Sequence, residues 1–468
     1  MSRRTWCRSV AAGFAFSVAA GCSVGPSYER PRVVSPSAFR APAAVAGTSS
    51  HSSLAEQRWA EVFTDPSLQA LIQSALSGNY DLGIAATRVL TAEARLGVVR
   101  SAGLPTLGAY ASVEADRSRA GGRGDPSTGG LFRAGASLSW EVEFWGKYTR
   151  AKEAARAEIL SSEWGRRAVV TSLVSQVATA YYQLLAFDRG LDIAERTLAS
   201  REESLRITQV RDQGGAGSLV DVKQAELLVY GARAQIVDLK RLIEQQENAI
   251  AALTGKSPGP VARAAQMAPE AGPTEIPTGL PSALLERRPD ILQAEQRLVA
   301  ANAEIGVAQA DYFPSISLTA SGGVASAALS TLFSAPAIVW SAAASLAQPI
   351  FDGGRTDSQV RLAELEREVA LASYRQTILT AFREVSDALV GYQRGREFRA
   401  IQAELVGSAR EARRLADLRY QGGATGYLEV LDSDTRLFTA ELGLVQAELS
   451  VLSVFVEIYR ALGGGWQS

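Results

Sequence analysis

Four short stretches of the chain alternate apolar and polar side chains with a period of two. In the clearest, residues 132–143, Phe132, Ala134, Ala136, Leu138, Trp140 and Val142 fall on one face, and Arg133, Gly135, Ser137, Ser139, Glu141 and Glu143 on the other. That period predicts a β-strand with one apolar and one wetted side. Just upstream, Leu107, Ala109, Ala111, Val113 and Ala115 oppose Tyr110, Ser112, Glu114 and Asp116. Further on, Ile316, Leu318 and Ala320 oppose Ser315, Ser317, Thr319 and Ser321, and a blander strand of Ala and Ser follows near Val339–Pro349.

Around the strands the pattern is helical. Ala-rich segments near Pro66–Ala102 and Pro281–Tyr312 each end just before a proline that cannot continue a helix. Two stretches without proline, about Thr149–Asp212 and Asp357–Tyr420, predict helices on the order of 95 Å long. Leu362, Leu365, Val369 and Ala372 recur at three and four, as a packed seam requires. The returning helices, Leu219–Leu253 and Tyr427–Leu462, follow Gly-rich breaks at Gly214-Gly215 and Gly422-Gly423, predicting antiparallel helical hairpins.

These elements occur twice. Gln213-Gly214-Gly215-Ala216 returns 208 residues later as Gln421-Gly422-Gly423-Ala424, and Ser137-Leu138 returns as Ser345-Leu346 at the same distance. The chain therefore divides into two tandem repeats. Residues 61–255 hold a helix, a β-hairpin over 104–143 and a helical hairpin over 149–254; residues 281–463 hold the same series, with hairpins over 313–350 and 357–462. Residues 22–60 and the Pro/Gly-rich linker 256–280 show little periodicity, and 464–468 form a short tail.

Strands of about ten residues with one oily side are the pattern of a transmembrane β-barrel. An open sheet edge cannot stand in hydrocarbon, and four strands cannot close when the smallest barrels need about eight. Copies of the chain must then complete the ring. The expected fold class is mostly α with a β-barrel segment. Lipid-facing positions are Leu138, Trp140, Ile316 and Leu318. A soluble sandwich and a lipid-anchored coiled-coil envelope scaffold share parts of this pattern and remain alternatives.

Composition narrows the function. With 48 Lys plus Arg against 49 Asp plus Glu, nothing points to nucleic acid. One His, His51, and two Cys, Cys7 and Cys22, are too few for zinc sites, disulfide frameworks or His-dependent nucleophilic catalysis. No metal site, catalytic residue or cofactor is expected. A cell-wall hydrolase would need two converging carboxylates, which only symmetry could assemble here. After the first 22 residues no run is read as long and apolar enough for a transmembrane helix.

The N-terminus carries an address. Arg3, Arg4 and Arg8, then an apolar stretch from Val10 to Val18, then Ala19-Ala20-Gly21-Cys22 describe a secretory signal peptide over 1–21. The end of it resembles a bacterial lipobox, which makes Cys22 the first mature residue, N-palmitoylated and carrying an S-diacylglycerol. Ser23, rather than an Asp, fits sorting to the outer membrane.

Several further motifs resemble the outer-membrane efflux protein family (TolC-like efflux lipoproteins of the OprM/NodT type). They are Val24-Gly25-Pro26-Ser27-Tyr28-Glu29-Arg30-Pro31; the stretch from Gly279-Leu280-Pro281 to Arg288-Pro289-Asp290; Phe313-Pro314-Ser315-Ile316; Phe351-Asp352-Gly353-Gly354-Arg355; and Tyr420, Gly423 and Leu428–Asp432. The resemblance spans nearly the whole mature chain. It implies a homotrimer with a twelve-stranded barrel on a periplasmic helical tube, lipid-anchored in the outer membrane. It also implies a periplasmic adaptor and an inner-membrane pump, of the RND type, as partners. The unpatterned segments 22–60 and 256–280 become an equatorial belt. Function is then passive conduction of drugs, toxic compounds or metals to the exterior; a one-step protein-secretion channel is the nearest alternative. The resemblance places a periplasmic gate at the hairpin turns, carried by Asp221, Tyr420, Glu429 and Asp432. Glu429 and Asp432 share a helix face, and rings of them would favour cations, although acids in a first helical turn also answer the helix dipole. Thr425 stands where some members have an arginine latch, so closure must rest on other contacts.

Overall fold

A computed structural model of the chain describes residues 23–40, 53–118, 127–264 and 276–466. The segment read as a signal peptide, Cys22 and residues 119–126 lie outside the described residues. After short turns at Leu54–Glu56 and Trp59–Val62 come α1 (Pro66–Gly78), α2 (Tyr80–Ala102), β1 (Thr106–Ser118) and β2 (Ser127–Val142). The first helical hairpin is α3 (Lys147–Gln213) and α4 (Leu219–Leu253). The second repeat runs α5 (Pro281–Arg287), α6 (Pro289–Ala310), β3 (Ser315–Ser326), β4 (Ile338–Ala347), α7 (Arg355–Gln421) and α8 (Tyr427–Ala461). Both long helices have 67 residues and both return helices 35.

Three sequence expectations change. The single helices expected over Pro66–Ala102 and Pro281–Tyr312 are each broken in two. Pro289 excludes the helical conformation from the residue before it, and Arg288 sits extended at φ −72, ψ 122. Asn79 stops α1 at φ −70, ψ 130, and its side-chain oxygen accepts from the Leu82 amide at 3.1 Å to start α2. The expectation that no later helix could cross a membrane also needs correction. By length and composition α8 qualifies, with a mean hydropathy of 1.5 over its best window, but half of that window is buried inside the chain's own packing. Finally, the seam at Leu362, Leu365 and Val369 does not pack within the chain: all three are exposed.

The described chain forms two compact units. One takes the segment up to Arg32, residues Arg88–Ser162 and Gln293–Tyr374, and holds the sheet. Here the N-terminal segment docks on helices. Arg150 donates to the carbonyls of Val24 and Gly25, each at 3.0 Å, and Glu295 accepts from Tyr28 at 3.2 Å and Arg30 at 2.9 Å. Gly25 lies at φ +100 against Gly306; a Cβ on it would come within 2.5 Å of the Gly306 Cα, so both glycines serve a close backbone approach.

The other unit, Val33–Thr87, Glu163–Leu292 and Arg375–Ser468, holds both hairpin tips. Its cores pack Leu184 with Ile243 and Ile250, Ala194 with Ile236 and Leu239, and Ala225 with Ala416, Tyr427 and Val430. Buried Arg288 donates to Asp290 at 2.6 Å, Glu384 at 2.9 Å and the Ala461 carbonyl at 2.9 Å. The Arg-Pro-Asp motif thus fastens the start of α6 to the end of α8. Burial opposes its charge, but the two carboxylates outweigh burial and raise its pKa.

Candidate functional site: the sheet and the hairpin tips

The four strands pair antiparallel in the order β1-β2-β3-β4. Register carries the alternation of each strand across the whole sheet. Leu107 lies opposite Leu138, Leu138 opposite Ala320, and Ala320 opposite Ala342. One row along, Trp140 pairs with Leu318 and Leu318 with Ala344; the next joins Val142, Ile316 and Leu346. All four positions expected to face lipid therefore share one apolar face. They are half-buried, and Trp140 donates its indole N–H to the Gly103 carbonyl at 3.1 Å. The opposite face is polar. Ser317 bonds Ser345 at 3.2 Å, Ser321 bonds Ser341 at 2.8 Å, and Arg133 pairs with Glu114 at 3.7 Å. β1 and β4 each leave one edge unpaired among the described residues. Edges of this length invite pairing with another chain.

At the lower end of the sheet, Phe351-Asp352-Gly353-Gly354-Arg355 is a helix start. Asp352 accepts from the Thr356 hydroxyl at 2.6 Å, the Thr356 amide at 3.0 Å and the Gly354 amide at 3.0 Å, capping α7. These bonds, the Thr356 hydroxyl first, hold its carboxyl below the ordinary aspartate value.

The helical hairpin turns are built alike. Gly215 (φ 75) and Gly423 (φ 73) take the left-handed conformation past the helix end. The amides of Ala216 and Ala424 then reach back to the carbonyls of Arg211 and Arg419, both at 2.8 Å. Gly214 and Gly422 precede them, their amides bonded to the Val210 and Leu418 carbonyls.

The gate candidates lie at these turns. Tyr420 is half-buried, edge-on to Tyr427 at 5.5 Å, and Arg211 of the first repeat lies over its ring at 4.5 Å while donating to its carbonyl at 2.9 Å. Glu429 sits in the first turn of α8, accepting from the Thr425 hydroxyl and lying 3.5 Å from Arg419. Asp432 is exposed and pairs with Arg436 at 2.7 Å. Asp221, half-buried, occupies the first turn of α4, which Ser218 caps. Thr425 thus holds Glu429 inside its own hairpin, and the arginine at Tyr420 comes from the other repeat.

Sequence reasoning missed the charges behind the turns. Asp434 of α8 is buried between Arg201 of α3 at 2.7 Å and Arg413 of α7 at 3.2 Å, and Arg201 also donates to the Leu228 carbonyl of α4 at 2.9 Å. Four turns along α8, buried Glu448 lies 3.0 Å from Arg189 and 4.0 Å from Arg399. A signal existed. Asp434 shares a helix face with Tyr427 and Val430, an acid inside an apolar stripe. Among the described residues no group of three or more His, Cys, Asp or Glu side chains is placed to hold a metal ion.

Comparison with known proteins fits this geometry. The family profile described as outer membrane efflux protein matches residues 71–256 and 280–464, one segment per repeat. The probable efflux pump outer membrane protein TtgC of Pseudomonas putida is 36% identical over 454 residues, covering 95% of this chain and 93% of that protein. The cation efflux system protein CusC of Escherichia coli is 34% identical over 450 residues, 96% of each. Among solved structures, the open state of the Neisseria gonorrhoeae MtrE outer membrane channel superposes with a TM-score of 0.83 at 30% identity, covering 95% of this chain and 99% of that one. The apolar-faced sheet, the paired helical hairpins and matches over nearly the full length of these proteins together establish that the chain belongs to the outer membrane efflux protein family and is an outer-membrane efflux channel.

Proposed function

We propose that three copies join the free edge of β4 to the free edge of β1 and close a twelve-stranded barrel in the outer membrane. The observation that carries this reading is the open four-stranded sheet with one continuous apolar face. Its edge amides and carbonyls need partners in hydrocarbon, and only closure supplies them. The exposed seam on α7 supports the same association, since Leu362, Leu365 and Val369 find no cover within one copy. Acyl chains on Cys22 would anchor each copy, and the docked segment from Val24 to Arg30 would hold that anchor beside the sheet.

The assembled duct passively conducts small molecules received from an inner-membrane pump of the RND type through a periplasmic adaptor. Efflux is favoured over protein secretion by the relatives' names, which specify toluene, antibiotics, solvents and cations. At the periplasmic tip, Asp221, Tyr420, Glu429 and Asp432 form the constriction, with Arg211 on Tyr420 as its closing contact. Purified protein reconstituted in planar bilayers should give discrete conductance steps, and chemical crosslinking should yield trimers. Silent bilayers together with monomers would exclude the channel reading.

A further inference from the structure

The two β-hairpins differ in charge and in height. From Tyr312 to Phe351 the sequence holds no Asp, Glu, Lys, Arg or His, whereas the first hairpin carries Glu114, Asp116, Arg117, Arg133 and Glu141. Ser326, the last residue of β3, pairs with Phe132, and β2 continues outward to Ser127 with only β1 beside it. At about 3.3 Å per residue, the first hairpin stands roughly 17 Å beyond the end of the β2–β3 ladder. The β3–β4 connection therefore turns back beside the Val113–Phe132 pair, at the outer end of the apolar face. A Cβ on Gly130 would lie 3.8 Å from the Ala327 carbonyl, which places the connection at the same level.

The connection is ordered without charges. Its two single turns, Leu329–Thr331 and Ala335–Ala337, are tied by Ser326 to Thr331 at 2.6 Å and by the Ser334 hydroxyl to the Thr331 carbonyl at 2.7 Å. Leu332 is buried, yet Phe333 is 83% exposed and Leu329 62%. Ile338 and Trp340, on the β4 part of the apolar face, are exposed as well. In water this surface would be costly. At the boundary of a bilayer it becomes an aromatic girdle.

We propose that the β3–β4 connection is seated in the outer leaflet of the membrane, with Phe333 and Leu329 among lipid acyl chains, so that the first hairpin alone presents charge to the exterior. The inference rests on the barrel reading above, and its test separates the two. With Cys22 acylated and Cys7 removed with the leader, as the sequence predicts, Phe333→Cys supplies a single reporter thiol in the full-length protein. A nitroxide there, in vesicles of palmitoyl-oleoyl phosphatidylcholine, is expected to collide with oxygen in preference to a water-soluble nickel chelate. A nitroxide at Leu138→Cys should behave the same way, and one at Asp116→Cys the opposite. Nickel preference at position 333 with Leu138 still in lipid overturns the seating of the loop and leaves the barrel intact; nickel preference at both overturns the barrel. Leu329→Cys repeats the measurement should Phe333→Cys fail to assemble.

Discussion

At the scale of single residues, position decides what a charge is worth. Asp434 is shut between two guanidiniums, so Asp434→Ala leaves Arg201 with the Leu228 carbonyl and the Phe438 ring but without its carboxylate partner, and takes from Arg413 one of its two carboxylates, leaving Asp417. Breaking a buried pair of this kind costs about 3–5 kcal/mol, and the thermal midpoint of the solubilised protein should fall accordingly. Asp432→Ala removes an exposed i,i+4 pair with Arg436 and should change stability by less than about 1 kcal/mol. Equal effects from the two variants would contradict the buried clamp. Gly423→Ala tests the turn. A Cβ there meets nothing within 4 Å, so the expected loss, about 1–2 kcal/mol, is backbone strain alone. Asp352 adds a pH dependence. Its folded pKa is depressed, so its cap is fully present above the ordinary value of 3.8 and is lost as pH falls through the lower folded value. Hydrogen-exchange protection of the Thr356 amide should therefore drop below pH 3.8, while Asp352→Ala should leave it weak at every pH.

At the scale of elements, the strand is the sharper test, because neighbouring residues lie on opposite faces, which the proposed barrel puts in opposite media. Leu138 and Ser137 are adjacent in β2 and lie on opposite faces. Arginine on the lipid face near the midplane costs about 2–4 kcal/mol; Leu138→Arg should lower the folded fraction, read as heat-modifiable migration, whereas Ser137→Arg should assemble. Similar yields from both would deny the sheet a lipid face. The helical hairpins obey a different logic. Their turns follow from two glycines and a reach-back amide, but the packing of one hairpin on the other depends on Arg211 at Tyr420 and on Asp434 between α3 and α7. The same motifs that suggest family membership have plain mechanical roles here: Arg288 binds helix ends, Asp352 caps a helix, and Gly25 lets the segment after Ser23 press against Gly306.

At the scale of the whole molecule, selectivity depends on copies meeting. In the proposed trimer, Glu429 and Asp432 repeat around the axis and favour cations. The double change Glu429→Ala with Asp432→Ala should shift the reversal potential in a salt gradient toward zero; an unchanged potential would remove both from the pore lining. The two repeats, the apolar side of each strand, the ends of the long helices to within about two residues and the turns at Gly215 and Gly423 are all legible along the chain before it folds. Those features are written in local periods of two and three-to-four and in residues that act where they stand. The sequence also carried, unread, the break that Pro289 imposes. Tertiary structure alone decided which buried carboxylate meets which arginine, since Arg201 and Asp434 lie 233 residues apart, and no period links positions so distant. It likewise decided that Leu362 and Val369 face outward, and that the second hairpin stops short of the first. Register between strands and packing between helices fix those relations, and both arise only when separate segments share one space.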